Sequence, residues 1–178
     1  MIYAKETRIG IDQAIYNFQV KLEDLGLNDT DVYGRLYVNR KKNASIAEAY
    51  VSNGEYKEIF LDDRKTGVFG FIVDGTRDGF DVIKTDVRLI GSFNLDTLYG
   101  NTTRNDEELL LLVLNAITGG IKADNRREIQ TEMEDVFRGL DVTRISFRNM
   151  QPWFNFSIAF KLSYVNNICD ILPKVRTI

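Results

Sequence analysis

Histidine is absent from this sequence of 178 residues, and cysteine occurs once, as Cys169. Without histidine the chain has no Ser-His-Asp or Cys-His constellation, lacks the usual zinc ligand, and lacks the side chain that ordinarily moves protons near neutral pH. A lone cysteine cannot form an internal disulfide, which is typical of a protein that folds in a reducing compartment. These absences favour a protein that is not an enzyme and that uses no cofactor and no metal.

Long hydrophobic runs are missing as well. The longest, residues 109–114, has six residues, whereas a membrane-spanning helix needs about 20. Residues 1–6 lack both the basic and the apolar region of a signal peptide. We therefore expect a soluble protein, made in the cytoplasm, that has no membrane partner.

Charge of one sign is not in large excess, because 23 basic residues face 26 acidic ones and the formal net charge is -3. Proteins that grip nucleic acids by the phosphates concentrate lysine and arginine on one face, so specific binding of nucleic acid is not expected. The basic run Arg40-Lys41-Lys42 is more typical of a solvated hairpin tip than of a contact with an acidic partner.

Hydrophobic periodicity predicts helices at both ends of a region rich in strands. Apolar residues recur at helical spacing over residues 11–25. Another helix is expected after Asn105, where acidic residues occupy the first turn, and a short one over residues 131–139. The helix after Asn105 is apolar nearly all round, which predicts burial on several sides, partly by a neighbouring subunit.

Strands are predicted by short apolar runs separated by turn residues. Four such runs, residues 32–38, 46–51, 56–61 and 68–73, indicate an antiparallel meander. Strict alternation predicts another strand near residues 87–95, in which Gly91 marks a bulge or a close approach. A long strand with an aromatic face is expected at residues 154–165.

The expected fold is therefore a single α+β domain over residues 1–178, with an antiparallel sheet and helices packed on one of its faces. Residues 39–56 are predicted to form a projecting β-hairpin arm. Residues 166–178 are predicted to form a C-terminal tail that needs a surface to lie against.

The tyrosines of the arm-like strands are the best candidates for function. A small sheet cannot bury them all, and tyrosine is enriched in protein interfaces. The long loop before the short helix is a second candidate, because such loops commonly contact a partner. The predicted subunit interface consists of Tyr33, Tyr37, Tyr50, Tyr56, Phe60, Arg126 and Arg127.

Two acidic patterns offer weaker alternatives. Glu48, Glu55 and Lys57 resemble the carboxylates and lysine of a metal-dependent nuclease, although solvated charges on an edge strand explain them more simply. Asp74 and Asp78 resemble the start of a calcium loop, but the twelfth position is Thr85 instead of the required glutamate.

The order of elements, together with residues 7–15 (TRIGIDQAI) and 150–156 (MQPWFNF), resembles the tail-terminator and neck-ring proteins of tailed bacteriophages. The two segments in particular resemble the neck and tail ring proteins of crAss-like phages. The resemblance implies a structural virion protein, assembled in the host cytoplasm, that forms a homo-oligomeric ring in the neck or tail. Such a ring stacks on portal, adaptor or other tail ring proteins and encloses a channel through which genomic DNA passes without specific binding. The remaining alternative is a non-viral adaptor domain that binds one protein partner.

Overall fold

A computed structural model describes residues 1–41, 44–60, 64–79, 81–100, 105–118, 128–145 and 151–165. This part of the chain is an α+β fold built on a mostly antiparallel, mixed sheet of eight strands. The strands are β1 (Ile2–Tyr3), β2 (Thr30–Lys41), β3 (Ala44–Ser52), β4 (Glu55–Glu58), β5 (Gly67–Asp78), β6 (Val82–Asn94), β7 (Glu128–Gln130) and β8 (Trp153–Val165). The helices are α1 (Ile11–Glu23), α2 (Leu95–Tyr99), α3 (Asp106–Thr118) and α4 (Met133–Val136), with a 3₁₀ turn at Val142–Arg144.

The strand order is β4-β3-β2-β5-β6-β8-β7, and β1 pairs with β2. The predicted meander is correct for β2, β3 and β4, which pair antiparallel. It is wrong for β5, which returns to the other edge of β2 and pairs with it in parallel, with Val32 opposite Phe69. The reason is burial, because β5 is apolar on both faces and needs a central position, whereas β4 is polar and suits an edge.

Apolar side chains on both faces of the central strands create two cores. On one face α1 and α3 pack over a cluster that includes Phe69, Leu89 and Phe156. On the other face Val136 and Phe137, at the end of α4, pack against a cluster that includes Ile72 and Ile90. The prediction of helices on one face therefore applies to α1 and α3, while α4 lies on the opposite face.

Within the predicted arm, residues 39–56, β2 and β3 form a hairpin that pairs as far as Lys41 opposite Ala44. Its base is not free-standing, because Ile46, Ala47 and Ala49 are buried and Ala47 and Ala49 belong to the second core. The hairpin is thus an integral part of the sheet over most of its described length. The predicted tail, residues 166–178, lies outside the described residues.

Among the described residues, no helix combines the length and the apolar character that crossing a membrane requires.

Candidate interaction surface

An irregularity in β2 decides which side chains meet α1. The pairing of β2 with β5 shifts register between Val32 and Arg35. Val32 therefore lies in the core under α1, whereas Leu36, an even number of residues away, lies in the core on the opposite face. Bulges re-aim side chains in this way. Here the bulge brings Arg35 to the α1 side, where its Nε lies 3.0 Å from Oδ1 of Asp12.

Three tyrosines from three neighbouring strands form a cluster on the same side. Tyr50 lies directly opposite Tyr56 across the β3–β4 pair, with ring centroids 5.8 Å apart. Tyr37 meets Tyr56 edge to face at 5.3 Å. Tyr56 remains 41% exposed. We name Tyr37, Tyr50 and Tyr56, together with Lys5 and Arg35, the tyrosine surface.

Two cations converge on the hydroxyl of Tyr37. Lys5 Nζ donates to it at 2.9 Å and Arg35 Nη2 at 2.6 Å. Both also form ion pairs with Asp12. Lys5 Nζ additionally lies 5.4 Å from the ring centroid of Tyr37 and 5.9 Å from that of Tyr56, which is cation–π geometry. The tyrosines, the cations and Asp12 thus form one connected network.

The network shifts the protonation of its members. Burial by itself would lower the pKa of Lys5, but the hydrogen bond to Tyr37 and the charge of Asp12 outweigh it and raise that pKa above its ordinary value. Burial would raise the pKa of Tyr37, but the hydrogen bond from Lys5 and the charge of Arg35 lower it below the ordinary 10.0. Lys5 is therefore firmly cationic at neutral pH.

We expect one tyrosine of the folded protein to ionise below pH 10, because the cations beside Tyr37 stabilise its phenolate. The measurement is the tyrosinate absorbance at 295 nm as a function of pH, compared with the Tyr37→Phe variant. The variant should lose the earliest step. Since the folded pKa is the lower one, stability should increase with pH between the folded and unfolded pKa of Tyr37. Identical titration curves for the two proteins would contradict the assignment.

The predicted interface residues are thus partly brought together. Tyr37, Tyr50 and Tyr56 meet, but Tyr33 lies within the bulge and stacks on Tyr3 with 4.6 Å between centroids. The prediction that Phe60 lies at the subunit interface is corrected, because Phe60 is 3% exposed and packs edge to face on Phe137 in the second core. Arg126 and Arg127 lie outside the described residues.

Sequence reasoning missed Lys5, Asp12 and Arg35. Their contacts join β1–α1 to β2 over long stretches of chain, and the bulge that orients Arg35 has no strong sequence signal beyond the neighbouring Gly34.

A small cavity lies behind the tyrosine surface. It has a volume of about 20 Å³ and is lined by Lys5, Arg8, Asp12, Gln19 and Tyr50, among other residues. That space is enough for about one water molecule, whereas pockets for small-molecule ligands are typically about 300–1,000 Å³. The size of this cavity therefore favours the binding of a macromolecule to the tyrosine surface over the binding of a small substrate.

The alternative nuclease residues are only partly brought together. Lys57 Nζ lies 4.0 Å from a carboxylate oxygen of Glu55, and both side chains are exposed. Glu48 pairs across the sheet with Glu58, whereas Lys57 pairs with Ala49, so Glu48 and Lys57 lie on opposite faces. Among the described residues, no group of three or more Cys, Asp or Glu side chains is placed to hold a metal ion.

The calcium-loop pattern is not a loop. Asp74 and Asp78 belong to β5, and Asp74 accepts a hydrogen bond from Arg88 at 2.9 Å.

Comparison of the chain with protein-family models, with curated proteins and with solved structures finds no match.

Proposed function

We propose that this chain is a structural virion protein that forms a homo-oligomeric ring in the neck or tail of a tailed phage. In this role it joins portal, adaptor or tail ring proteins around the channel for genomic DNA. The proposal combines the resemblance in element order with one structural observation, the partly exposed tyrosine surface.

The tyrosine surface supports assembly because its composition is that of interface cores. Tyrosine and arginine are enriched at the centres of protein interfaces and supply many of their energetic hot spots. Tyr56 is 41% exposed in the single chain, and the side chains of Lys5 and Arg35 are 31% and 21% exposed. A partner that covers this surface would bury the aromatic rings, while Lys5 and Arg35 would keep the ion pairs that they already form with Asp12.

The sheet edges give secondary support. In the described part of the chain, β4 is an edge strand, and β7 covers β8 only at Ser157, Ile158 and Ala159. Open edges promote uncontrolled association unless they are covered. A closed ring is one arrangement that covers them without further growth.

The charge of the chain fits a channel wall. A formal net charge of -3 gives little attraction for the phosphates of passing DNA, so the genome would slide without being held.

The first test is the mass of the native protein by light scattering, with negative-stain images of the same fraction. At about 100 µM, contacts with micromolar dissociation constants are saturated, and we expect closed rings. A monomer at this concentration would contradict the ring and would favour the alternative of a non-viral adaptor domain that binds one protein partner.

The Tyr56→Ala variant should weaken the assembly at least 10-fold while the fold is retained, because a hot-spot tyrosine contributes about 2 kcal/mol or more and about 1.4 kcal/mol corresponds to a tenfold change in the dissociation constant. Val38→Ala is a matched control, since Val38 in β2 is 43% exposed and points to the face opposite that of its neighbour Tyr37. The dissociation constant from dilution light scattering gives the comparison. Equal assembly of the two variants would mean that the tyrosine surface is not an interface.

A further inference from the structure

Helix α3 carries a second exposed surface, although its sequence, apolar nearly all round, predicts burial on several sides. Leu109, Leu110, Val113 and Ile117 are buried, but Leu111 is 56% exposed. Glu107 and Glu108, in the first turn, are also exposed. Glu107 and Leu111 are four residues apart and therefore lie one above the other on the helix. We name Glu107, Glu108 and Leu111 the α3 stripe.

The α3 stripe and the tyrosine surface are complementary in charge. The first turn of α3 has three acidic residues and the last turn has no basic one. Around the tyrosine surface, Lys5, Arg8 and Arg35 accompany two carboxylates, Asp12 and Glu48, the second of which lies directly opposite Tyr37 in the β2–β3 pair. Glu58, two residues along β4 from Tyr56, is paired with Arg144 at 2.8 Å. The small net positive charge of this surface is opposite in sign to the charge of the α3 stripe.

The two surfaces are also complementary in apolar character. Leu111 offers an aliphatic side chain to the exposed ring of Tyr56, while the glutamates can reach Lys5 and Arg35 at the edge of the rings. An apolar centre with charged groups at its rim is the usual composition of a protein interface.

We propose that the α3 stripe of one copy of this chain docks on the tyrosine surface of a second copy. This inference rests on the proposed ring function and specifies its subunit contact. The two surfaces share no residue and belong to different elements, and the ring requires each copy to use both at once. A contact between two different surfaces repeats from copy to copy, and it generates a ring when the rotation between copies closes and an open filament when it does not.

The test uses two full-length variants, each with one surface destroyed. Lys5→Ala/Tyr56→Ala removes the tyrosine surface, and Glu107→Lys/Leu111→Ser removes the α3 stripe. Each variant alone should be monomeric by light scattering. Mixed in equal amounts, they should form a dimer containing one copy of each and grow no further, because a single intact contact remains between them.

Three controls make the outcomes distinct. Circular dichroism confirms that each variant is folded. If a double variant fails to fold, Tyr56→Ala replaces the first, and Glu107→Lys or Leu111→Ser replaces the second. Glu134→Lys makes the same charge change at an exposed first-turn residue of α4 and should assemble like the wild type.

If the wild type forms rings and either double variant still does so, or if the mixture stays monomeric, the proposed contact is wrong and the ring function stands. If the wild type itself is monomeric, both proposals fail.

Discussion

Replacing Arg88 by methionine is expected to lower the free energy of unfolding by about 3–5 kcal/mol. Arg88 is 3% exposed in the middle of β6. Its guanidinium donates to the carboxylate of Asp74 at 2.9 Å and to the backbone carbonyls of Val136 and Arg138 at 2.9 and 2.8 Å. Methionine fills similar space but donates nothing, so the carbonyls at the end of α4 lose their partner while largely shielded from water.

Urea denaturation measures this loss, and Arg138→Gln is the matched control. Arg138 lies 4.0 Å from the same carboxylate, but its side chain is 66% exposed, so its replacement should change stability by less than about 1 kcal/mol. Arg88→Lys should fall between the two, because it restores one donor group and the charge. An Arg88→Met variant as stable as Arg138→Gln would show that the network around Arg88 does not hold α4 to the sheet.

Truncating Phe156 to alanine is expected to destabilise the protein by a similar amount, about 3–5 kcal/mol. The ring is fully buried and contacts those of Phe154, Phe93 and Phe69, with centroids 5.5, 6.3 and 6.4 Å away. It also covers Gly91, its direct partner in the β6–β8 pair. The sequence prediction of a bulge or a close approach at Gly91 is confirmed as a close approach, since a Cβ there would lie 2.5 Å from Phe156 Cζ.

The same contact predicts a strong coupling between the two positions. Gly91→Ala alone should destabilise by about 1–3 kcal/mol, because the surrounding aromatic rings leave no room for the methyl group. In a Phe156→Ala background the same substitution should be nearly neutral or stabilising, because the space is then empty. A double-mutant cycle by urea denaturation measures the coupling, and Phe156→Leu serves if the alanine variant does not fold. Additive effects would show that Gly91 is not constrained by the ring.

The sequence was sufficient for elements with strong periodicity. The apolar spacing of α1, the acidic start of α3 and the unbroken alternation of β8 predicted all three, with boundaries within two residues at most ends. Each of these patterns is local, so a single segment of chain carries the whole signal.

The parallel placement of β5 and the composition of the tyrosine surface could not be predicted in the same way. The edge of β2 with which β5 pairs depends on how well each strand order buries the apolar side chains of the whole sheet. The sequence of β5 alone does not contain that information. The tyrosines of the tyrosine surface were predicted from composition, but its cations were not. Lys5 contacts Tyr37 from a distant part of the chain, and Arg35 lies on the α1 side only because of a bulge in β2. Sequence patterns do not specify such non-local contacts.

The parallel pairing of β2 with β5 has a consequence for how the chain folds. The hairpins β2–β3, β3–β4 and β5–β6 join neighbouring segments, so each closes a short loop. Bringing Val32 beside Phe69 instead closes a loop that contains both of the first two hairpins. Closure of the longer loop has the larger entropic cost, and contacts distant in sequence form late. We therefore expect the β2–β5 pairing, and with it the bulge that turns Arg35 toward α1, to form after the hairpins.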